Sequence, residues 1–543
     1  MDGEHTLLAE DLNAGLRALR AGASDWASLP VGRKAAVLSA CRHSTSRTAR
    51  RWTRRAAQLK GVAETSLAGE EAITGPWAVL AHLNAYVATL AQIERSGSPA
   101  LEPRRIRSRS DGQLVVDVFP SATYDRFLHI GLRAEVWMQP GVTRESLIET
   151  MAAWYREPNP PARVCLVLGA GNITSIGPLD VLYKLVAEGC ACMLKVHPLF
   201  EELGPILEDA LSPLVDGGYL RFAYGGADAG RYLCTHPEVH EIHLTGAQAT
   251  YEAIAGSNAT HKPITSELGN VSPAIVVPGQ WSDYELRFQA EQLATAKLHN
   301  GGFNCIGLQV LVLPEQWSQR TAFLAELRRV FASAPHRGAS YPGSERRHAA
   351  LSAGRVDAGG IIVEADASDA DEVLFDMEAF CPLLAVVTIP GGEISAYLRN
   401  AVAFCNDRLA GNLAASIIVD ARTMREHRRD VDEAVSGLRY GCVGVNIWSG
   451  VGFLLPPLPW GAYPGNTPEH IRSGVGVVHN SRLFSLSQKS VLHAPFVPPS
   501  RRLKPPWFFT HGNQAEIGLA LCELEYTKSS LALAKIGWLT LTG

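Results

Sequence analysis

Between Arg163 and Val277 the chain repeats short apolar runs, RVCLVLG, CACMLKV, LRFAYGG, VHEIHLTG and PAIVVP, separated by turns and by segments with helical spacing of their apolar residues. Strands that are apolar on both faces need cover on both faces. Helix candidates such as PLDVLYKLVAEG and ATYEAIAG supply it, so the pattern predicts a doubly wound parallel sheet. A second block repeats the alternation with helices over 283–298, 316–331 and 422–434 and the strand runs LQVLVLPE, LLAVVTIP and AASIIVD. Two α/β domains are expected.

The flanks read differently. Residues 1–105 carry apolar positions at helical spacing, Leu12, Leu16 and Leu19 and later Leu80, Leu83, Val87 and Leu90. From Gly112 the texture becomes strand-like: QLVVDVFP and RFLHIGLRAEVWMQPG are two strand candidates around a polar turn. The segment 483–499 reads as an edge strand running into a proline-rich linker, and NQAEIGLALCELEYTKSSLALAKIGWL as one amphipathic helix. The expected divisions are 1–111, 112–140, 141–277, 278–480, 481–499 and 500–543.

Charge excludes some functions. Fifty Lys plus Arg against 54 Asp plus Glu give a net charge of -4 in 543 residues, so no global positive field attracts nucleic acid. The arginines around Trp52 (Arg42, Arg47, Arg50, Arg51, Arg54, Arg55) read as a solvated helix face. Ten cysteines without a CxxC pair or ligand spacing point to free thiols, no metal site and a reducing compartment, with Cys190 and Cys192 as packing residues on one strand face. The acidic start MDGEHTLLAEDLNAG lacks the features of a secretory leader, so the expected location is cytoplasmic. No uninterrupted apolar window is long enough for a membrane span; the best candidate, LALAKIGWLTLTG, is short and carries Lys535.

Three segments can carry chemistry. GAGNITSIG, from Gly169 to Gly177, is a glycine-rich turn from strand end into helix; such a turn either binds an anion at the helix N-terminus or serves close packing. Its Asn172 amide can donate to negative charge developing on an oxygen. In KPITSELGNVSPAIVV, Glu267 stands at a strand end, either as a capping residue or as a desolvated general base. In LHNGGFNCIGLQVLVL, Cys305 follows a glycine pair. It is either a packing residue or a thiol whose anion the local backbone dipoles favour.

Asn172, Lys195, Gly246, Glu267, Cys305 and Glu378 occur in this order within the blocks AGNITS, ACMLKVHP, HLTG, ITSELGNVSP, NGGFNC and EAFCPLLAV, and the set resembles the aldehyde dehydrogenase superfamily from about residue 163 to 492. The resemblance implies a Rossmann-like cofactor domain, a catalytic domain, a strand-exchange oligomerisation arm built from 112–140 and 481–495, and a C-terminal helical extension. It makes Cys305 the nucleophile, Asn172 the oxyanion donor and Glu267 the base that activates water. It assigns Gly169, Ala170, Gly171, Lys195, Gly225, Gly246, Ala247, Leu268, Glu378 and Phe380 to an NAD or NADP cofactor. A homodimer or homotetramer is the implied assembly.

This sequence departs from the family pattern in places. Pro198 stands where NAD-preferring relatives carry a Glu three residues after the lysine, which leaves no carboxylate to repel a 2′-phosphate. Phe303, two before the cysteine, is expected to narrow the substrate funnel, and Cys381 to pack. The apolar members of the stretch from Trp448 to Trp460 (Val451, Phe453, Leu454, Leu455, Leu458) point to an apolar aldehyde. The expected reaction is oxidation to a carboxylic acid. The competing readings are reduction or formation of an acyl-coenzyme A thioester, and an idle scaffold. For the tail, closing the substrate entrance or adding subunit contacts is favoured over touching a membrane.

Overall fold

The computed structural model describes residues 2–257, 261–335, 337–338, 340–357 and 359–543, with side chains from residue 9 onward. The first apolar block forms a six-stranded sheet in the spatial order Gly474–Val475, Ile264–Glu267, Glu241–Thr245, Arg163–Leu168, Cys190–Lys195, Leu220–Ala223. All its pairings are parallel except the one made by Gly474–Val475. The chain winds outward from Arg163–Leu168 in one direction, then returns to add Glu241–Thr245 on the other side. The crevice where the winding reverses lies at the carboxyl ends of these strands, the place where open α/β sheets bind ligands. Gly169, Lys195 and Gly246 all stand there.

A larger sheet has ten strands, in the order Ile106–Ser108, Leu114–Phe119, Arg133–Met138, Ser487–His493, Cys442–Val445, Ala414–Ile418, Ser272–Val276, Leu308–Pro314, Leu384–Ile389, Ile362–Ala365. From Ser487–His493 to Ile362–Ala365 the pairing is parallel throughout. The arm strands Leu114–Phe119 and Arg133–Met138 pair antiparallel beside Ser487–His493, which in turn pairs with Cys442–Val445 of the same chain. The arm strands thus find partners within this chain. Their backbone groups are satisfied in cis, so strand exchange is not needed to fill them.

Three local expectations are corrected. The polar segment between the arm strands is a short helix, Thr123–Leu128, and the helix expected over 422–434 is two, Ala421–Glu426 and Arg428–Gly437. The tail is likewise two helices, Gln514–Thr527 and Ser530–Thr542, broken where Lys528 takes a left-handed φ of 52°. The Ser529 hydroxyl caps the second by accepting from the Leu531 N–H.

The N-terminal helix Asp2–Ser28 packs on the six-stranded sheet, and Val31–Leu59 and Ala78–Ser96 form a wall against the helices that cover it, anchored by the buried Trp52, whose indole N–H donates to Thr174 Oγ1 at 2.9 Å. The arginines of Val31–Leu59 lie outside that contact: Arg51 pairs with Asp209, Arg55 with Glu202, and Arg42 donates to Asn84. The tail helices pack on the same wall through Ile517, Leu521, Leu524 and Ile536 against Ile73, Trp77 and Leu80. All ten cysteines are free thiols, and Cys190, Cys192 and Cys381 are buried. Among the described residues, no helix is long and apolar enough to cross a membrane.

Candidate active site

Cys305 sits in a loop that the preceding sequence forces into an unusual path. Asn300, Gly301 and Gly302 have φ values of 54°, 68° and 80°, three left-handed residues in succession. At Gly302 a side chain would also strike the Cys381 backbone carbonyl carbon, 2.8 Å from an ideal Cβ. The glycine pair lets the loop turn back against the EAFCP segment before the strand Leu308–Pro314 begins.

Glu267 is the last residue of its strand and is held from both sides. Its carbonyl accepts from Gly246 N–H at 3.0 Å, and the neighbouring Leu268 N–H donates to Ser473. Cys305 Sγ lies 3.2 Å from Glu267 Oε1, and the Trp460 indole N–H donates to Oε2 at 2.8 Å. Burial, reinforced by the Asp180 carboxylate and opposed by the bonds from Cys305 and Trp460, pushes the Glu267 pKa up to about 8. The Glu267 side chain thus faces the Cys305 thiol and not a helix end.

The same pair corrects the expectation for Cys305. Burial first, then the Glu267 and Glu378 carboxylates, hold its pKa well above the ordinary thiol value, so the resting group is a neutral thiol and not a dipole-stabilised thiolate.

Asn172 is buried and its Nδ2 donates to the Phe303 carbonyl at 3.2 Å, two residues before the sulfur. The Asn172 carbonyl accepts from Asn300 Nδ2 at 3.0 Å and from Lys60 Nζ at 2.7 Å. Lys60 is fixed in turn by Glu71, at 2.8 Å, while Glu70 accepts from Arg337 at 2.6 Å and from the Asn300 N–H at 3.1 Å. This buried lattice of Lys60, Glu70, Glu71, Asn300 and Arg337 clamps the Asn172 turn to the cysteine loop. Sequence reasoning missed it. The available signal was charge at positions 60, 70 and 71 inside an apolar helical segment, which a surface helix also shows.

On one side of the sulfur lies a cavity of about 450 Å³, lined by Ile173, Trp77, Phe453, Val451, Ile306 and Ile536 among other apolar side chains, with Cys305 in its wall. Val451, Phe453, Leu454 and Leu455 line it as expected; Leu458 is buried elsewhere in the core. The terminal helix contributes Leu533, Ile536, Thr540 and Leu541, so the tail does form part of the entrance. Phe303 is not in this wall. It packs against Tyr341 and Phe380, at ring-centroid distances of 5.9 and 6.1 Å, which corrects the expectation that it narrows the funnel.

On the opposite side the predicted cofactor residues gather. Gly169 N–H donates to the Lys195 carbonyl, Ala170 packs on the core, and a Cβ at Gly171 would fall 2.4 Å from the His197 ring. The Ala247 carbonyl opens the helix after Gly246 by accepting from Thr250 and Tyr251. Lys195 is buried beside Val196, to whose carbonyl it donates. Glu378 lies against Gly269, and its Oε1 is buried without a hydrogen-bond partner; burial pushes its pKa up to about 7. An unsatisfied carboxylate oxygen beside a close-packed glycine fits a ribose hydroxyl. Phe380, with φ of 43°, turns its ring toward Tyr341, which in turn meets His197.

One carboxylate here was not read from the sequence. Glu201, six residues after Lys195, accepts from the N–H of Gly225, whose φ is 101°, and its charge acts on both Lys195 and His197. The Pro198 departure therefore does not leave this side without a carboxylate.

A family model described as the aldehyde dehydrogenase family matches residues 149–339. Aldehyde dehydrogenase family 3 member A2 of Mus musculus is 25% identical over 361 residues, covering 63% of this chain and 69% of that protein. The 4-trimethylaminobutyraldehyde dehydrogenase of Homo sapiens is 30% identical over 162 residues, 28% of this chain and 31% of that protein. Among solved structures, a Mycobacterium tuberculosis aldehyde dehydrogenase complexed with NAD+ superposes with a TM-score of 0.59 at 18% identity, covering 90% of each chain. A mutant of aldehyde dehydrogenase C from Pseudomonas syringae, complexed with NAD+ and octanal, gives 0.58 at 17% identity over 91% of this chain and 90% of that one. The ordered motifs and the sequence matches make this chain similar to the aldehyde dehydrogenase family over residues 149–339, and its fold is that of the solved aldehyde dehydrogenases.

Proposed function

We propose that the protein oxidises an apolar aldehyde to the carboxylic acid with a nicotinamide dinucleotide, NAD in preference to NADP. The observation that carries this reading is the Cys305 Sγ to Glu267 Oε1 distance of 3.2 Å at the wall of an apolar cavity. Glu267 takes the thiol proton, and the sulfur adds to the aldehyde carbon as the thiolate. The alkoxide that forms is met by the Asn172 side-chain amide, whose second N–H is not needed for the Phe303 carbonyl, and by the backbone N–H of Cys305. Gly169, Lys195, Gly246, Glu378 and Phe380 hold the dinucleotide, which supplies the hydride acceptor when bound. Glu267 releases the thiol proton to solvent before the second half-reaction; as a carboxylate again it takes a proton from the water that attacks the Cys305 thioester carbon, and it returns that proton to the departing Cys305 sulfur as the carboxylic acid leaves.

Two features refine the reading. Glu267 stands close enough to the sulfur to serve a water at the thioester carbon, which favours hydrolysis over transfer to coenzyme A. The Glu201 carboxylate favours a free 2′-hydroxyl over a 2′-phosphate, because like charges repel most strongly at a partly buried site. The test is reduction of NAD by the purified protein with straight-chain aldehydes, followed at the reduced-nicotinamide absorbance. Turnover is expected from the intact chain and its loss, by ~10⁴-fold or more, from Cys305→Ala. Absence of turnover with every aldehyde and both cofactors overturns the proposal, as does a rate that depends on added coenzyme A.

A further inference from the structure

Eight large apolar side chains are exposed among the described residues, and five of them, Phe127, Ile130, Leu531, Trp538 and Leu541, lie on two segments that border the cavity. Phe127 and Ile130 belong to the short helix Thr123–Leu128 and the loop after it; Leu531, Trp538 and Leu541 belong to Ser530–Thr542. Phe127 is 66% exposed, Trp538 63% and Leu531 81%, values that leave most of each side chain in water. Phe127, Ile130 and Leu541 also line the cavity, so the apolar surface runs without a break from solvent to the wall that holds Cys305. The terminal helix faces two ways: Ala532, Ile536 and Leu539 pack inward, while Leu531, Ala534, Lys535 and Trp538 share the outward face at intervals of three and four. Apolar surface of this kind, concentrated in one place, marks an interaction site.

Charge decides what it meets. The three segments around the mouth, 120–133, 498–512 and 528–543, hold seven Lys or Arg (Arg126, Arg133, Arg501, Arg502, Lys504, Lys528, Lys535) and a single acid, Asp125. Asp125 is buried, capping its own helix. Lys504 and Lys528 pair with Glu291 and Glu525; the other five make no ion pair among the described residues. A chain whose net charge is -4 thus presents a local positive rim around an exposed apolar patch. An anionic bilayer matches both parts, taking Trp and Leu into the headgroup boundary and the cations at the phosphate level.

We infer that the cavity mouth, with Phe127, Ile130, Leu531, Trp538 and Leu541 ringed by Arg126, Arg502 and Lys535, docks on an anionic lipid surface. This extends the proposed aldehyde oxidation by naming where an apolar substrate enters: from the bilayer into the cavity without crossing water. The terminal helix lies in the interface plane and does not span it. The membrane contact rests on the outward face of the terminal helix, while its inward face lines the cavity.

The test is sedimentation of the full chain with vesicles of phosphatidylcholine alone or mixed with phosphatidylglycerol. Partition into the anionic vesicles is expected to be at least about tenfold stronger and to weaken as salt is raised. Leu531→Ser/Trp538→Ser is expected to lower partition into both vesicle types, and Arg502→Glu/Lys535→Glu to remove the anionic preference. Neither pair touches the cavity wall, so both variants keep the wild-type rate on hexanal without vesicles. Equal partition of the wild type into both vesicles overturns the inference, as does wild-type partition by either variant. A dimer seen by light scattering without lipid and lost in Leu531→Ser/Trp538→Ser also overturns it, by assigning the patch to a second copy of the chain. Hexanal oxidation reports on the active-site proposal separately: its failure alongside normal vesicle binding sinks that reading and leaves this one standing.

Discussion

Lys60 Nζ donates to the backbone carbonyl of Asn172 at 2.7 Å, linking the helical N-terminal wall to the turn that carries the proposed oxyanion donor. Lys60 is buried, and although burial pulls its pKa below the ordinary lysine value, Glu71 sits at 2.8 Å to favour the charged form. A buried ion pair of this sort contributes little net stability but is costly to break from one side. Its consequence here is position: the Asn172 amide is held by a group 112 residues away in sequence.

Lys60→Met should therefore act on catalysis through Asn172. The expected result is a fall in kcat of about 10²-fold, of the size seen when one oxyanion donor is lost, with KM changed much less. Lys60→Arg should restore part of it. Comparing both with Asn172→Ala in a double-mutant cycle checks the assignment, because the two losses should not add.

Glu267 must be ionised to accept the thiol proton, and its pKa of about 8 places that requirement inside the assay range. Below that value the reactive form is scarce, so kcat/KM is expected to rise about tenfold per pH unit on the acid limb and to level above about 8. Glu267→Gln should lower the plateau by about 10²–10⁴-fold and abolish the acid limb. Steady-state pH profiles of the two proteins decide it.

Glu201 faces Lys195 and His197 across the carboxyl end of the sheet. Removing its charge with Glu201→Gln is expected to shift the NADP to NAD ratio of kcat/KM by about tenfold toward NADP, roughly 1.4 kcal/mol. Titration of both cofactors at fixed aldehyde measures the ratio directly.

The cavity predicts how rate depends on chain length. Each methylene moved from water into it is worth about 0.8 kcal/mol, so kcat/KM should climb about fourfold per CH₂ until the cavity is full. Val451→Trp, which fills part of the wall near the thiol, should move the maximum to shorter aldehydes without loss on the shortest. An aldehyde series from butanal upward, run on both proteins, reads this out.

Glu135 ties the arm together. It meets Arg107 at 2.5 Å and His493 at 3.7 Å and accepts from the Trp137 indole at 3.0 Å. Burial alone would raise its pKa, but the hydrogen bond and charge of His493, with Arg107 and Trp137, bring it down to about 2. A carboxylate with a depressed folded pKa contributes stability above its unfolded value near 4.5, and that contribution is lost as pH falls toward about 2. Glu135→Gln should lower Tm at neutral pH and leave it nearly unchanged at pH about 2, measured by scanning calorimetry.

The alternation of apolar runs with amphipathic segments was enough to predict two α/β domains, because strands covered on both faces and helices with one apolar stripe have few ways to pack. The resemblance carried by the ordered motifs implied that Asn172, Glu267 and Cys305 share one site, and the structure brings Cys305 to Glu267 and Asn172 to the loop before Cys305. What sequence could not supply was the environment of those groups. The sequence left Cys305 open between a packing residue and a thiolate favoured by local dipoles, whereas burial and a carboxylate from another strand hold its pKa well above the ordinary thiol value. Pro198 argued for a cofactor side without a carboxylate, whereas the backbone brings Glu201 to Gly225.

Periodicity thus determined the α/β layers, and the resemblance carried by the ordered motifs singled out Asn172, Glu267 and Cys305 as candidates. The tertiary structure alone decided that the arm strands pair within their own chain, that Lys60 and Glu70 reach beneath the site, and that a broken tail places one helix at the cavity mouth. The physical reason is range. Propensity and spacing act over a few residues, while desolvation, ion pairing and strand register depend on which distant segments the chain brings within a few ångströms of one another.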